Sequence, residues 1–260
     1  MLLCGYRAGS KGRTERDGGL KIEPRGIAAW FLFTLPFCLC YTYKKALEES
    51  DMKRCFIFAA GTFYGLREKP TGEDFVIAAD AGYQACVAAG VVPDLLLGDF
   101  DSMEAPENFE HILRLPVEKD DTDTMAAVKY GLEQGCTEFH IYGGTGGKRL
   151  DHTLANLQTL LYLRRQGARG WLYDDDFLWT VIENESLTIP KTVEWGLMSV
   201  FCMGDRAEGV CESGVQYPLD GAELTVAFPL GVSNHIVEEK ATVSVHTGAL
   251  VVGWELNAVL

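Results

Sequence analysis

The sequence predicts an α/β chain: an N-terminal three-layer domain built on a parallel sheet, followed by a C-terminal all-β sandwich. Two patterns carry this. Between Arg54 and about Asp176, short apolar runs alternate with segments of helical period, as strands joined by crossover helices do. Beyond Asp176 no convincing helical period remains, and short β-prone stretches recur between Gly, Pro, Asn and Asp.

The first fifty residues stand apart. Met1 to Arg25 is rich in Gly and basic residues with no hydrophobic period, and Gly26–Tyr43 is an apolar run interrupted by Pro36. That run is marginal for a membrane span and long for a signal-peptide core, with no clear cleavage site after it. Three readings compete: an uncleaved anchor, an unusual signal segment, or sequence upstream of the true start. The third is preferred, because Met52-Lys53-Arg54 opens directly onto a strand pattern. Residues 1–51 are therefore set aside as an extra segment.

The strands expected next are Cys55–Ala60, Phe75–Ala79, Leu95–Leu97, Phe139–Tyr142 and Trp171–Tyr173, with a further short one at Ile112–Leu115. The helices expected are Tyr83–Ala89, Thr124–Gln134 and Leu150–Gln166. In the second half the strand candidates are Trp179–Ile182, Ser199–Phe201, Leu224–Ala227, Thr242–His246 and Leu250–Trp254. The boundary falls within Asp174-Asp175-Asp176, giving domains at 52–176 and 177–260 with no long linker between them.

Composition narrows the function. A net charge of −14 argues against a nonspecific nucleic-acid binder and favours a cationic substrate. From residue 52 onward the imbalance sharpens, to 15 basic against 31 acidic residues. The 8 cysteines form no C-x-x-C pair and no zinc spacing, so thiols in a reducing compartment are expected.

Four groups of residues carry chemistry. Leu95-Leu96-Leu97-Gly98-Asp99-Phe100-Asp101-Ser102 is an apolar strand ending in two acids one residue apart. If the extended geometry persists, Asp99 and Asp101 project the same way and invite a hard cation such as Mg2+. The alternative is a solvated turn with one Asp capping the next helix. Lys119-Asp120-Asp121-Thr122-Asp123 precedes a helix; Thr122 or Asp123 caps it, Lys119 offers a charge for phosphate, and Asp123 is a further metal ligand candidate. Gly143-Gly144-Thr145-Gly146-Gly147-Lys148-Arg149-Leu150-Asp151-His152 runs from a strand through a glycine turn into a helix, which presents backbone N–H groups to phosphate. Its spacing fits neither a Walker A loop nor a dinucleotide fingerprint. Arg149 suits bidentate phosphate binding, whereas His152 reads equally well as an ordinary helix-face histidine. Asp80, in Ala79-Asp80-Ala81-Gly82, either holds a ribose or water at the sheet edge or caps the following helix.

In this order, together with Asn156, the four groups resemble the thiamine pyrophosphokinase family, with similarity from about Met52 to the C-terminus. The resemblance implies an α/β nucleotide-binding domain followed by a β-sandwich. It implies transfer of a pyrophosphoryl group from ATP to the hydroxyl of thiamine, with Mg2+, in a cytoplasmic homodimer whose site is shared between subunits. The metal ligands would be Asp99, Asp101 and Asp123. ATP would meet Asp80, Lys119, Gly144, Arg149, Asp151 and His152. Asp120 is the expected proton acceptor. Thiamine would lie against Tyr217, Ser233 and Asn234, in Ser213–Leu219 and Gly231–Asn234. Tyr217 stands where some members carry Trp, and Ala81 where Gly is more usual. Rival readings are a pyrophosphokinase for another small alcohol, such as a hydroxymethylpterin, a non-catalytic thiamine or nucleotide sensor, and a membrane-tethered form using Gly26–Tyr43.

Overall fold

A computed structural model of the chain describes residues 53–100, 106, 109–116, 118 and 120–257. The expectations for residues 1–51, Asp101 and Lys119 lie outside the described residues. Six strands run parallel: β1 (Arg54–Phe58), β2 (Phe75–Ala79), β3 (Leu95–Gly98), β4 (Ile112–Arg114), β5 (Glu138–Tyr142) and β6 (Arg169–Tyr173), in the order β4-β3-β2-β1-β5-β6. In the inner strands β1, β2, β3 and β5 successive positions are buried because both faces are covered, whereas the edge strand β4 is largely exposed. Cys55, Ile57, Ile77, Phe139 and Ile141 pack on one face with Ala127, Val128, Leu160 and Leu163 of the helices α2 (Asp123–Glu133) and α3 (Leu150–Arg165). Phe56, Phe58, Val76, Ala78 and Leu96 pack on the other with Ala85 and Cys86 of α1 (Gly82–Ala89). These are the expected three layers. The three helices among the described residues begin and end within a residue of the stretches expected from their periodicity.

Past β6 the chain reverses. The strand β7 (Phe177–Glu183) pairs antiparallel with β6 through Leu172 and Trp179. Then β14 (Ala249–Glu255), β9 (Leu197–Cys202) and β12 (Gly231–His235) extend the same sheet to ten strands. A second sheet of four, β11 (Leu219–Thr225), β10 (Arg206–Ser213), β13 (Lys240–Ser244) and β8 (Ser186–Pro190), shares a core with this antiparallel end. Ile182, Met198, Val200, Val210, Val243, Leu250 and Val252 form that core. The expected boundary at Asp176 therefore falls in the β6–β7 turn, where the Asp174 N–H donates to the Phe177 carbonyl at 2.9 Å. The sheet is continuous across it.

Three strands, β8, β10 and β12, have no counterpart among the sequence expectations. In β10, Gly209 sits at a positive φ of 64° and register shifts flank Val210, so the two-residue alternation is broken. In β12, Ser233 at φ 60° does the same. The β8 sequence alternates two exposed polar positions around Leu187 and stops at Pro190. Among the described residues no helix is long and apolar enough to cross a membrane.

Candidate active site

The chain lays β2, β3 and β4 on one side of β1, then returns to place β5 and β6 on the other. In an open parallel sheet this reversal opens a crevice beyond the carboxyl ends of the strands. A cleft of ≈ 530 Å³ lies there, lined from Ala59–Gly61 after β1, Asp80 after β2, Asp99 after β3 and Gly143–Arg149 after β5, together with the first turns of α2 and α3. Its floor depends on two glycines. A Cβ on Gly61 would lie 2.4 Å from the Gly143 carbonyl oxygen, and one on Gly143 would lie 2.4 Å from that of Ala59. Gly143 also has φ 67°, where a side chain is strained. The two loops can thus approach closely enough for the Gly61 N–H to donate to Gly143 O at 2.7 Å.

Among the described residues, three acids reach this cleft. Asp80 is buried at the end of β2 with φ 48°, a left-handed conformation that Asp tolerates better than most residues, and its N–H donates to Leu97 O at 2.7 Å. Asp99 follows Gly98 directly and is half-buried. The extended geometry expected to align it with Asp101 ends at Phe100, which has φ 58°. Its ring lies 5.1 Å beneath the Arg114 guanidinium. Asp123 enters as the first residue of α2. The cap of that helix is Thr122, whose Oγ1 accepts from the Met125 N–H at 3.1 Å, so Asp123 is not needed for that task. Asp121 is occupied by Lys129 at 2.7 Å. Asp120 is exposed and is not among the residues that line the cleft.

The glycine turn behaves as its sequence suggests. Arg149 occupies the N-cap position of α3 without a side-chain cap, and His152 and Thr153 of the first turn line the cleft at the positive end of the helix dipole. Arg149 lines the cleft and pairs with exposed Asp151 at 2.6 Å. The hydrogen bond from Arg149 holds the Asp151 carboxyl down at about 2. Asp151 itself does not line the cleft, whereas His152 and Gly144 do. Asn156, to which sequence reading gave no role, is buried in the cleft wall and donates from Nδ2 to Gly144 O at 2.7 Å. The available signal was its spacing, one helical turn beyond His152. Thr145 is tied separately, donating from Oγ1 to Asp174 Oδ1 at 2.7 Å. Ala81 takes φ −60°, so the glycine more usual there is not required.

Tyr217, Ser233 and Asn234 lie in the sandwich and do not line this cleft. Asn234 is buried and its amide is fully used. Its Oδ1 accepts from the N–H groups of Tyr217 (3.0 Å) and His235 (2.9 Å), and its Nδ2 donates to Tyr217 O (2.8 Å) and Glu212 Oε2 (3.0 Å). These bonds tie Asn234 to the turn that carries Tyr217, which is 63% exposed. Ser233 is also exposed.

Two family models match the chain: "Thiamin pyrophosphokinase, catalytic domain" over residues 68–172, and "Thiamin pyrophosphokinase, vitamin B1 binding domain" over residues 185–251. Thiamine pyrophosphokinase of Bacillus subtilis (strain 168) is 28% identical over 181 residues, covering 67% of this chain and 84% of that one. The crystal structure of a thiamin pyrophosphokinase family protein from Enterococcus faecalis superposes with a TM-score of 0.68 at 27% identity, over 79% of this chain and 99% of that one. Yeast thiamin pyrophosphokinase shares the fold at 13% identity, with a TM-score of 0.61 over 80% of this chain and 87% of that one. Fold, cleft and matches together define a transferase of the kinase type. Within that class the chain belongs to the thiamin pyrophosphokinase family, whose reaction is pyrophosphoryl transfer from ATP.

Proposed function

We propose that this chain transfers the pyrophosphoryl group of ATP to the hydroxyl of thiamine, giving thiamine diphosphate and AMP. The observation that carries the reading is the convergence of Asp99, Asp123, Arg149 and the glycine turn on one cleft at the switch point of the sheet. Such a transfer needs little covalent help from the protein and much positioning and charge neutralisation. The N–H groups of the glycine turn and of the first turn of α3 suit the phosphate oxygens, and Arg149 adds a guanidinium. Asn156 keeps the Gly144 carbonyl turned into the wall, away from the phosphates.

The donors fit Mg2+. Asp80, Asp99 and Asp123 offer only hard oxygen ligands, and this ion is usually held by one or two carboxylates with substrate phosphates completing the shell. Among the described residues no closed cluster of three or more ligating side chains stands ready, which suits such a shared shell. When bound, Mg2+ would neutralise charge on the phosphate oxygens. Asp99 and Asp123 are the residues we assign to it, with Asp101 as the third on the strength of the motif.

For thiamine we assign Tyr217, as an aromatic face for the cationic thiazolium, and the hydroxyl of Ser233. The match of residues 185–251 to a vitamin-B1-binding model favours thiamine over a pterin alcohol. The reading includes a homodimer with shared sites. In its support, Tyr217 and Ser233 do not line the acidic cleft of their own chain, and the sandwich exposes Val226, Phe228, Leu230 and Val232. A cytoplasmic setting accords with the five described cysteines, all thiols.

The deciding experiment incubates the protein with ATP and Mg2+, with and without thiamine, and separates the nucleotides. Thiamine-dependent AMP without ADP is expected. ADP would mean simple phosphoryl transfer. Thiamine binding with no nucleotide product would make the chain a sensor.

A further inference from the structure

Glu212 of β10 is the most deeply buried carboxylate among the described residues, at 1% exposure, and nothing in the catalytic reading uses it. It lies within the sandwich, in register with Leu219 on one side and Val243 on the other. An apolar side chain would fill such a position at less cost, because a buried acid loses its hydration whether or not it finds partners. Its Oε2 accepts from Asn234 Nδ2 at 3.0 Å, while its Oε1 is buried without a hydrogen bond. So the acid is retained at a cost, and its single bond goes to one residue.

That residue explains the cost. The backbone around Asn234 supplies two N–H donors for Oδ1 but only one carbonyl, Tyr217 O, for the two hydrogens of Nδ2. Glu212 takes the hydrogen left over. The amide then has every hydrogen-bonding position filled and a single orientation, which a half-satisfied buried amide would lack. What it fixes is specific. Gln216 N–H donates to His235 O at 2.9 Å, and Val237 N–H to Gly214 O at 3.0 Å, so the segment 214–217 is laced to β12 with Asn234 at the centre. Tyr217 and Ser233 stand at the exposed ends of this lacing.

We propose that Glu212 is a positioning residue for thiamine: by completing the hydrogen bonds of Asn234, it holds Tyr217 and Ser233 at the separation the substrate requires. The inference rests on the functional reading above. Burial raises the Glu212 carboxyl above its ordinary range, opposed by the Asn234 bond; the side-chain carbonyl oxygen of a Gln at this position would offer Asn234 an acceptor of the same reach.

The test is steady-state AMP release by wild type, E212L and E212Q, with thiamine and ATP varied separately. E212L removes the acceptor at similar volume. Its KM for thiamine is expected to rise about tenfold, the order expected for one lost hydrogen bond. Its KM for ATP should stay at the wild-type value, and E212Q should restore the thiamine KM. An E212L protein with unchanged thiamine KM, or with both KM values raised together, would overturn the proposal. Should E212L fail to fold, the wild-type protein decides: the Asn234 side-chain amide protons are expected to exchange slowly with solvent, and fast exchange would refute the closed set. A wild type forming no thiamine-dependent AMP would overturn the functional reading instead, a result distinct from both.

Discussion

Asp99 and Asp123 reach one cleft from unlike places, a strand end and the first turn of a helix. The cap of α2 comes from Thr122 rather than Asp123. Replacing either acid by Asn keeps the side-chain size and should leave a folded chain with one cooperative melting transition. Turnover should fall by at least about a hundredfold, the order seen when a transition-state charge loses its partner. Calorimetry and the AMP assay check the two halves of this expectation. Asp99 was conspicuous in the sequence as an acid ending an apolar run, and Asp123 as part of an acidic cluster just before a helix. The backbone between Asp99 and Asp101 was not legible: nothing in a Phe signals φ 58°, a conformation imposed by the surrounding fold. Asn234 is ambiguous in a related way: its residue type suits substrate recognition as well as backbone holding, and the four internal bonds that show the second are not visible in the sequence.

At the scale of elements, the ends of β1 and β5 continue side by side as loops that are glycine where they touch, at Gly61 and Gly143. Gly143→Ala would place a methyl 2.4 Å from the Ala59 oxygen at a φ of 67°. A loss of about 2 kcal/mol or more follows, because strain and clash act together. Denaturant unfolding measures it, and an unchanged midpoint would show that the loops can part. The parallel strands and the three described helices could be read from the sequence because their periods are regular and both sheet faces are apolar. The strands β8, β10 and β12 could not. Bulges, a Pro end and a left-handed Ser interrupt their alternation, and pairing with neighbours remote in sequence holds them in the sheets.

For the whole molecule, two expectations follow. The first concerns acid and base. The Glu212 carboxyl is raised by burial, so its contribution to stability is greatest where it is protonated in folded and unfolded chains alike. That contribution declines as pH rises from its ordinary range toward its folded value. E212Q carries no such dependence. It should melt at or above wild type near pH 7.5, with the gap closing as pH falls to 4 in paired thermal scans. The second concerns assembly. If sites are shared between two copies, D99N and Y217A chains, each inactive alone, should regain about a quarter of wild-type turnover when refolded together, since random pairing leaves one complete site in half the dimers. No recovery would mean that each chain completes its own site. The seam between β6 and β7 has a further consequence, for anyone who divides the protein. A cut at residue 176 follows the gap between the two matched family regions, yet it severs a sheet rather than a linker. Each piece would present a bare row of unpaired backbone N–H and C=O groups along a strand that is otherwise interior, β6 in one and β7 in the other. Such edges recruit further strands, so the two halves expressed apart should be recovered as aggregates, whereas co-expressed halves should reassociate through that same row.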